Sequence, residues 1–389
     1  MGDPVFAHGL TLAVWLILLV KTVAVFVIVL VSVLFMVMYE RKAVARLGVR
    51  WGPNRAGPNG WLQSLADGTK LLFKEAFTPR SADRLVYKVA PYLMLVPALI
   101  AFAIVPIGGT VTVAHNTTEL QLADPPWGIL FMLMASGLAV YGVILAGWSS
   151  RSKYSLLGAV RASAQMISYE AVLGLTTATV VLVTGSLRTS SIVAAQHGGF
   201  LYHWNVIHTA LIPFALFAVA ITAEMTRPPF DLVEAEEELS GGYMIEYASV
   251  DFAWFYLSEY AALVTNSAFI VTLWFGGPDG PRITGHSIGP FWFFLKLLII
   301  LFVFVWIRAT LPRLRYDQLM ELGWKRLIPA ALIMLMVVAG FQINREWGFV
   351  AIGAGLVLAG VLWRAIDVGR GATVVESGPD PRVAQEAEQ

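Results

Sequence analysis

Long apolar stretches alternate with short polar segments along most of this chain. A helix needs about 20 mostly apolar residues to cross a bilayer, and nine stretches reach or approach that length. They lie at roughly 13–38, 89–108, 127–147, 164–184, 208–226, 252–275, 291–310, 327–345 and 348–364. The pattern predicts an all-α polytopic membrane protein with eight core transmembrane helices and a ninth one near the C-terminus.

The composition agrees with a membrane protein and excludes several function classes. Hydrophobic residues make up 57% of the chain and charged residues only 14%, whereas ordinary soluble domains carry about 25% charged residues. The net charge of +1, without a basic patch interleaved with aromatics, argues against nucleic acid as a partner. The chain has no cysteine, which excludes thiol catalysis and a self-bound iron–sulfur cluster. The histidine spacings match no metal motif, so no metal site is predicted.

The distribution of Lys and Arg predicts the orientation, because cytoplasmic loops carry an excess of both. The first loop, 40–88, holds ten of them, and the second loop, 109–126, holds none. The third and seventh loops hold three and four. Odd-numbered loops are therefore predicted to be cytoplasmic and the N-terminus to lie outside. This alternation suits a multi-pass protein of a bacterial inner membrane.

The first loop carries a helical pattern of its own. After a turn-rich stretch over 51–60, apolar side chains (Trp61, Leu65, Leu72) recur on one side and polar ones (Asp67, Lys70) on the other. The pattern predicts an amphipathic helix in the membrane interface. Two interpretations stay open. The helix is either a strut on the membrane surface or the wall of an opening through which an amphiphilic ligand enters from the bilayer.

Acidic residues are concentrated at the predicted cytoplasmic side. Glu170, Glu224 and Glu259 lie in three different spans, all within roughly 10 Å of the interface at about 1.5 Å per residue. Carboxylates are costly to bury unless they are paired, hydrated or protonated. Their common depth predicts a shared polar cavity that moves protons. The alternative is structural pairing with Arg161, Arg227 or Lys153.

Seven acids and one base lie between Arg227 and Asp251. Glu234, Glu237 and Glu238 would share one face of a helix, because their spacing is i, i+3 and i+4. Like charges at that distance cannot all ionise cheaply, so some of their pKa values are expected to rise toward neutrality. A solvated acidic face is the alternative interpretation of this run.

With these residues in view, the chain resembles the family that comprises the bacterial H subunit and the mitochondrial subunit 1 of proton-pumping NADH:quinone oxidoreductase, respiratory complex I. The resemblance covers roughly residues 10–345. Its strongest motif is Ala223-Glu-Met-Thr-Arg-Pro-Pro-Phe-Asp-Leu-Val-Glu-Ala-Glu236, followed by Ser258-Glu-Tyr260. Further motifs are Glu40-Arg-Lys42, Gly52-Pro-Asn-Arg55, Ser168-Tyr-Glu170 and Leu311-Pro-Arg-Leu-Arg-Tyr-Asp317.

The resemblance implies a membrane-arm subunit of a translocase that forms the quinone access tunnel and couples quinone reduction to proton translocation. It implies no complete catalytic site on this chain. Quinone, either ubiquinone or menaquinone, is the implied substrate, and FMN and iron–sulfur clusters are expected on partner subunits. The implied partners are peripheral-arm subunits at the quinone site, small and antiporter-like membrane subunits, and membrane lipid. The implied proton-channel residues are Glu170, Glu224, Asp231, Glu234, Glu236, Glu238 and Glu259. The implied quinone-tunnel residues are Glu40, Arg41, Arg50, Asp67, Arg227 and Phe230.

The resemblance also predicts a division of the chain. Residues 1–345 are expected to form the membrane domain, with a quinone access loop at 40–88 and an acidic loop at 224–251. The chain departs from the family after residue 345, where the sequence predicts an extra helix over 346–366, in contact with a neighbouring subunit or with lipid, and then a polar, disordered tail over 367–389.

Two other functions are weighed. One is a homologous subunit of a membrane-bound hydrogenase-type complex, and the other is a stand-alone proton-coupled transporter. Transporters often show inverted repeats with ligand sites at the membrane midplane, and the sequence shows neither feature.

Overall fold

Thirteen helices and one β-hairpin form the part of the chain that the structure describes. The structure is a computed structural model, and it describes residues 3–5, 11–113, 116–198, 202–209, 211–232, 240–281 and 289–376. The helices are α1 (Leu12–Leu47), α2 (Gln63–Phe73), α3 (Arg84–Ala101), α4 (Gly128–Ser149), α5 (Lys153–Thr184), α6 (Thr189–Ala195), α7 (Asn205–His208), α8 (Ile212–Glu224), α9 (Ser249–Trp274), α10 (Gly289–Thr310), α11 (Tyr316–Glu321), α12 (Ile328–Ile343) and α13 (Arg345–Glu376). The strands β1 (Thr110–Val113) and β2 (Asn116–Glu119) pair antiparallel. The prediction of an all-α polytopic membrane protein is confirmed.

Seven helical segments of the described residues are long and apolar enough to cross a membrane: α1, α3, α4, α5, α10, the α11–α12 pair and α13. Helices α8 and α9 correspond to the two other predicted spans. Helix α8 has 13 residues and is therefore about 20 Å long. Helix α9 has 26 residues and carries Asp251 and Glu259 among its apolar ones.

The apolar core surrounds α9. One side of this helix is buried from Phe255 to Trp274, and it packs against α1, α3 and α10. Helix α5 packs against α4, α8 and α12 on the other side of the core. Large side chains fill the space between these elements, among them Trp274, Phe217 and Tyr169. Polar side chains on α5 and α9 are consequently held at fixed depth.

One side of the molecule, which we call the basic face, gathers the cations. Helices α1, α4, α8, α10 and α13 end there, and α3, α5, α9 and α12 begin there. Its connecting segments and helix ends carry residues such as Arg46, Arg50, Lys153, Arg313 and Arg326.

The opposite face is closed by polar contacts between loops and helices. Lys21 of α1 lies 2.6 Å from Asp3, and Thr118 of β2 also donates to Asp3. Lys296 of α10 donates to the carbonyl oxygens of Phe275 and Gly277 at 2.7 and 3.0 Å. The Lys296 ammonium therefore fixes the loop after α9 instead of extending to the membrane surface.

The predicted amphipathic helix is α2, which lies at the basic face. Its side chains Leu65, Leu72 and Phe73 are 56, 63 and 91% exposed. Ser64, on its other side, is buried and donates to the carbonyl oxygen of Leu34. The apolar side of α2 thus points away from the protein, as an interfacial helix requires.

The extra C-terminal helix is longer than predicted. Helix α13 runs to Glu376, ten residues past the expected end at 366. The polar tail was expected over 367–389, and its first ten residues are helical instead. The physical reason is that the first helix-breaking pair after α12 is Gly378-Pro379, so nothing earlier removes a backbone donor. Residues 377–389 lie outside the described residues.

Candidate functional site

A chain of four charged side chains crosses the interior behind the basic face. Arg227, which follows α8, places its guanidinium between two acids. Its Nη1 lies 3.2 Å from Glu40 Oε1 and its Nη2 lies 3.0 Å from Glu259 Oε1. Arg308 of α10 also pairs with Glu40. We call these four residues the arginine network. It joins α1, α9, α10 and the segment after α8.

Three of the four side chains of the arginine network are shielded from water, and Arg308 is partly exposed. The side chains of Glu40 and Arg227 are 6 and 7% exposed, and that of Glu259 is 12% exposed. The Arg227 guanidinium lies over the ring of Tyr260, 4.7 Å from its centroid, which adds a cation–π contact. A buried ion pair stays favourable only if its charges are well compensated. Two acids and two arginines provide that compensation here.

Gln165 of α5 fixes the segment that carries Arg227. Its Nε2 donates to the carbonyl oxygens of Ala223 and Phe230, at 2.7 and 2.8 Å. Phe230 is 4% exposed, and its ring packs on that of Tyr169 with centroids 5.6 Å apart. Phe230, implied for the tunnel by the resemblance, therefore lies in the interior of the protein.

A second acidic group lies deeper, where α4, α5 and α8 meet. Glu170 and Glu224 both lie beside the Ser136 hydroxyl and close enough to repel each other. Glu224 is 7% exposed, and its Oε2 has no hydrogen-bond partner among the described residues. We call Glu170, Glu224 and Ser136 the carboxylate pair site. In the described part of the chain, neither acid has an Arg or Lys in ion-pair contact.

Gly137 makes room for this site. A Cβ atom at that position would lie 3.0 Å from Glu170 Oε1, which is closer than nearly all real Cβ contacts. A side chain at this point of α4 would displace the carboxylate. Two carboxylates this close to each other in apolar surroundings cannot both carry a charge cheaply, so one of them is expected to hold a proton.

One cavity connects the two acidic groups. Glu224 and Glu259 both line it, together with Ser136, Thr226 and Asn266. About 70 Å³ of it is open to the centres of water molecules, and one water needs roughly 10–15 Å³ of such space. The cavity therefore has room and polar partners for several waters. Glu259 is the residue that belongs to both the arginine network and this cavity.

A separate ion pair lies at the surface between α1 and α2. Arg41 Nη1 is 2.5 Å from Asp67 Oδ2, and both side chains are more than a third exposed. Gln63 donates to the other oxygen of Asp67 at 2.9 Å. Partial burial alone would raise the pKa of Asp67, but the hydrogen bonds from Gln63 and Arg41 and the charge of Arg41 hold it below its ordinary value of 3.8.

Arg50 lies apart from that pair. It lines a crevice of about 1020 Å³ between the end of α1, the turn that follows it and Phe302 of α10. Lys42 and Trp51 line the same crevice. Among the tunnel residues that the resemblance implies, the structure brings together Arg41 with Asp67 and Glu40 with Arg227, and it leaves Arg50 separate.

The acidic loop is described only in part. Asp231 lies near Glu259 and repels its charge. Glu234, Glu236 and Glu238, together with Glu237, lie outside the described residues.

The sequence reasoning missed three members of the site, namely Arg308, Ser136 and Gln165. Arg308 offered a signal, because a cation near the end of an apolar span needs a partner. Ser136 and Gln165 offered little, since a single hydroxyl or amide in a membrane helix does not reveal what it contacts.

Comparison with known proteins assigns this architecture to one family. The family model described as NADH dehydrogenase matches residues 20–339. A protein of Frankia alni, named as the H subunit of NADH-quinone oxidoreductase, is 49% identical over 358 residues, which cover 88% of this chain and 77% of the relative. A protein of Frankia casuarinae with the same name is 49% identical over 339 residues, which cover 85% of this chain and 74% of the relative.

Proposed function

This chain belongs to the H-subunit family of NADH-quinone oxidoreductase, an enzyme complex of several subunits, and we propose that it forms the access tunnel for quinone and couples quinone reduction to proton translocation. One observation carries the proposal. Charged and polar side chains run without a break from Glu40 through Arg227 and Glu259 to the cavity that Glu224 lines. Such a path links the basic face to a buried group that can hold a proton.

We propose that quinone approaches along α2. The exposed apolar side chains of this helix offer a surface for an amphiphilic molecule in the bilayer, and the Arg41–Asp67 pair supplies charge at its polar edge. Arg50 and the crevice beside α1 are further candidates for the tunnel wall. The quinone headgroup itself would be reduced against neighbouring peripheral subunits, which carry the FMN and the iron–sulfur clusters that deliver electrons.

Each group has a separate task in this mechanism. Arg227 holds the charges of Glu40 and Glu259 in place and so senses a change of charge near Asp67 or the acidic loop. Water in the cavity carries a proton between Glu259 and Glu224. The carboxylate pair site stores that proton between Glu224 and Glu170, from which it passes toward antiporter-like partner subunits. Asp231, Glu234, Glu236 and Glu238 would supply protons from the loop.

The same proposal assigns the orientation and the parts of the chain. The basic face lies in the cytoplasm of a bacterium, the N-terminus lies outside, and the spans cross the inner membrane. Residues 1–345 act as the membrane domain, with the access loop at 40–88 and the acidic loop at 224–251. Helix α13 is an addition to that domain.

The experiment uses the intact complex in mild detergent and compares wild type with Glu224→Gln. NADH:quinone reductase activity and proton pumping in liposomes are measured. NADH oxidation by an artificial acceptor that bypasses the membrane arm is the control. Loss of quinone reduction and pumping, with the control activity and subunit composition intact, supports the coupling role.

Unchanged quinone reduction and pumping in Glu224→Gln would leave Glu224 structural and overturn the path. Copurification tests the wider assignment. A chain that isolates without redox subunits would instead favour a stand-alone transporter, and a complex that reduces protons in place of quinone would favour a hydrogenase-type assembly.

A further inference from the structure

The last helix stands beside the protein and encloses a crevice. Helix α13 has α12 as its main neighbour, and two glycines bring the two backbones close. A Cβ at Gly340 would lie 2.9 Å from the carbonyl oxygen of Trp347, and one at Gly355 would lie 2.6 Å from Ile333 Cγ2. Beside this contact, a crevice of about 960 Å³ lies between α13, α12 and α8.

The walls of the crevice are apolar over most of their length. They include Leu216 of α8, Met334 and Val338 of α12, and Leu356 and Leu362 of α13. Helix α12 has 16 residues and is about 24 Å long, so the crevice extends through most of the hydrocarbon core of a bilayer. Water would find few hydrogen-bond partners along such walls. The occupant is therefore expected to be an apolar chain.

The end of the crevice at the basic face carries two adjacent cations. A π-helical turn over Leu322–Leu327 places Lys325 and Arg326 there, and both line the crevice. The Lys325 side chain is 55% exposed although it lies 3.7 Å from Glu321, and Arg326 is exposed as well. An ammonium has three donors, so one long contact with Glu321 leaves Lys325 able to bind another anion.

The two ends of the crevice differ in charge. Trp363, at the end with the cations, is 74% exposed, and tryptophan favours the headgroup level of a bilayer. The opposite end is lined by His208, Thr209 and Gln342, and no described Lys or Arg lines it there. A molecule with one anionic end and an apolar remainder would match this polarity.

We propose that this crevice binds an anionic phospholipid, with its acyl chains along α12 and α13 and its phosphate between Lys325 and Arg326. A guanidinium presents paired donors that match phosphate oxygens, and basic pockets between membrane helices suit acidic head groups. A zwitterionic phospholipid brings its own ammonium to the same place and gains less. The extra helix thereby completes a lipid site that α8 and α12 form only in part.

The test uses the intact complex, stripped of lipid by detergent washing and reconstituted. Binding of a labelled phosphatidylglycerol is compared with binding of a phosphatidylcholine that has the same acyl chains. Wild type should bind the anionic lipid more tightly. Changing both Lys325→Gln and Arg326→Gln should weaken that binding by about thirtyfold, because two phosphate-facing charges are lost.

The matched control removes two other exposed cations of the same face, Arg84→Gln with Lys153→Gln, neither of which lines the crevice. It should leave the affinity unchanged. A second pair of variants tests the apolar part. Ala359→Trp fills the crevice and should weaken binding of the anionic lipid several-fold, while Ala354→Trp, on the same helix but outside the lining, should not.

A photo-crosslinking residue in place of Leu356 identifies the occupant directly. A crosslink to phosphatidylglycerol supports the proposal. A crosslink to a transmembrane helix of a neighbouring subunit overturns it. It is also overturned if wild type binds the anionic lipid no more tightly than the zwitterionic one, or if the Lys325/Arg326 double variant binds the anionic lipid as tightly as wild type does. These readouts do not depend on quinone reduction, so they stand apart from the proposed function.

Discussion

Two pairs of carboxylates lie behind the basic face, and they differ in what stands beside them. Glu40 and Glu259 both contact the Arg227 guanidinium, whereas Glu170 and Glu224 lie beside the Ser136 hydroxyl and have no Arg or Lys in ion-pair contact among the described residues. A cation beside a buried acid stabilises its charged form, and an apolar wall favours its neutral form. The first pair is therefore held closer to its charged form, so that Glu259 passes a proton on, and the second pair is better suited to store one.

Replacing Arg227 is expected to have the largest effect on the stability of the complex. The change Arg227→Met leaves Glu40 and Glu259 buried without their common cation, which we expect to cost roughly 3–5 kcal/mol. The complex should assemble poorly and lose quinone reductase activity. Thermal denaturation and subunit composition of the purified complex measure the effect.

The control for that variant is Arg315→Met. Arg315 pairs with Asp317 at the surface, where both side chains are more than half exposed. An exposed pair contributes little, so this variant should behave as wild type. An Arg227→Met complex that is as stable as the control would mean that the arginine network does not hold the site together.

Neutralising one acid from each pair tests whether the two pairs contribute differently to stability. Glu259→Gln removes a charge that Arg227 compensates, and we expect a loss of about 1.5–3 kcal/mol, the worth of a hydrogen bond to a charged group. Glu224→Gln removes no ion pair, so the melting temperature should stay unchanged or rise. Equal destabilisation by the two variants would contradict the distinction drawn between the two sites.

A smaller change displaces the carboxylate pair without altering its charge. Gly137→Ala places a methyl group at the position that would lie 3.0 Å from Glu170 Oε1. We expect proton pumping and quinone reduction to fall several-fold while assembly is retained, since alanine favours a helix by about 1 kcal/mol over glycine. Gly174→Ala is the matched control, because no atom lies within 4 Å of a Cβ added there.

Loss of the exposed Arg41–Asp67 pair should have the smallest effect on stability, and this effect should depend on pH. The pKa of Asp67 is lower in the folded protein than in the unfolded chain. The pair therefore stabilises the fold fully above the unfolded pKa of Asp67, and this contribution disappears as pH falls through its folded pKa. Asp67→Asn should cost less than about 1 kcal/mol at neutral pH, because the pair is exposed. Melting temperatures of variant and wild type should converge only as pH falls through the folded pKa of Asp67, which lies below 3.8. A difference that persists there would mean that Asp67 acts by packing and not by charge.

Patterns that repeat locally could be predicted from the sequence, and contacts between distant elements could not. The apolar spans and the amphipathic α2 follow from residue periodicity, although α1, α5 and α13 extend well past the predicted ranges. Glu259 was placed correctly in a helix, but its pairing with Arg227 was one of several options until the fold brought the segment after α8 to α9. Arg308 joins Glu40 across most of the chain, and no local pattern carries that information.

The carboxylate pair site also depends on contacts between distant elements that local patterns do not predict. The positions of Glu170 and Glu224 in the predicted spans indicated a shared polar region, although α5 begins at Lys153 and not at the predicted 164. That Ser136 would join them and Gly137 would make room for them depends on how α4 faces α5, which the uniform hydrophobicity of α4 does not reveal. The end of α13 was missed for a different reason, because polar composition alone does not stop a helix.

Ser249, the first residue of α9, lies 2.9 and 2.6 Å from the carbonyl oxygens of Leu71 and Lys74 at the end of α2. The interfacial helix and the helix that carries Glu259 are thus attached at one point. A displacement of α2 by a molecule wedged against its apolar side would pull on the start of α9 and shift Glu259 relative to Arg227. Mechanical strain at the membrane surface would then reach the interior without any proton having moved.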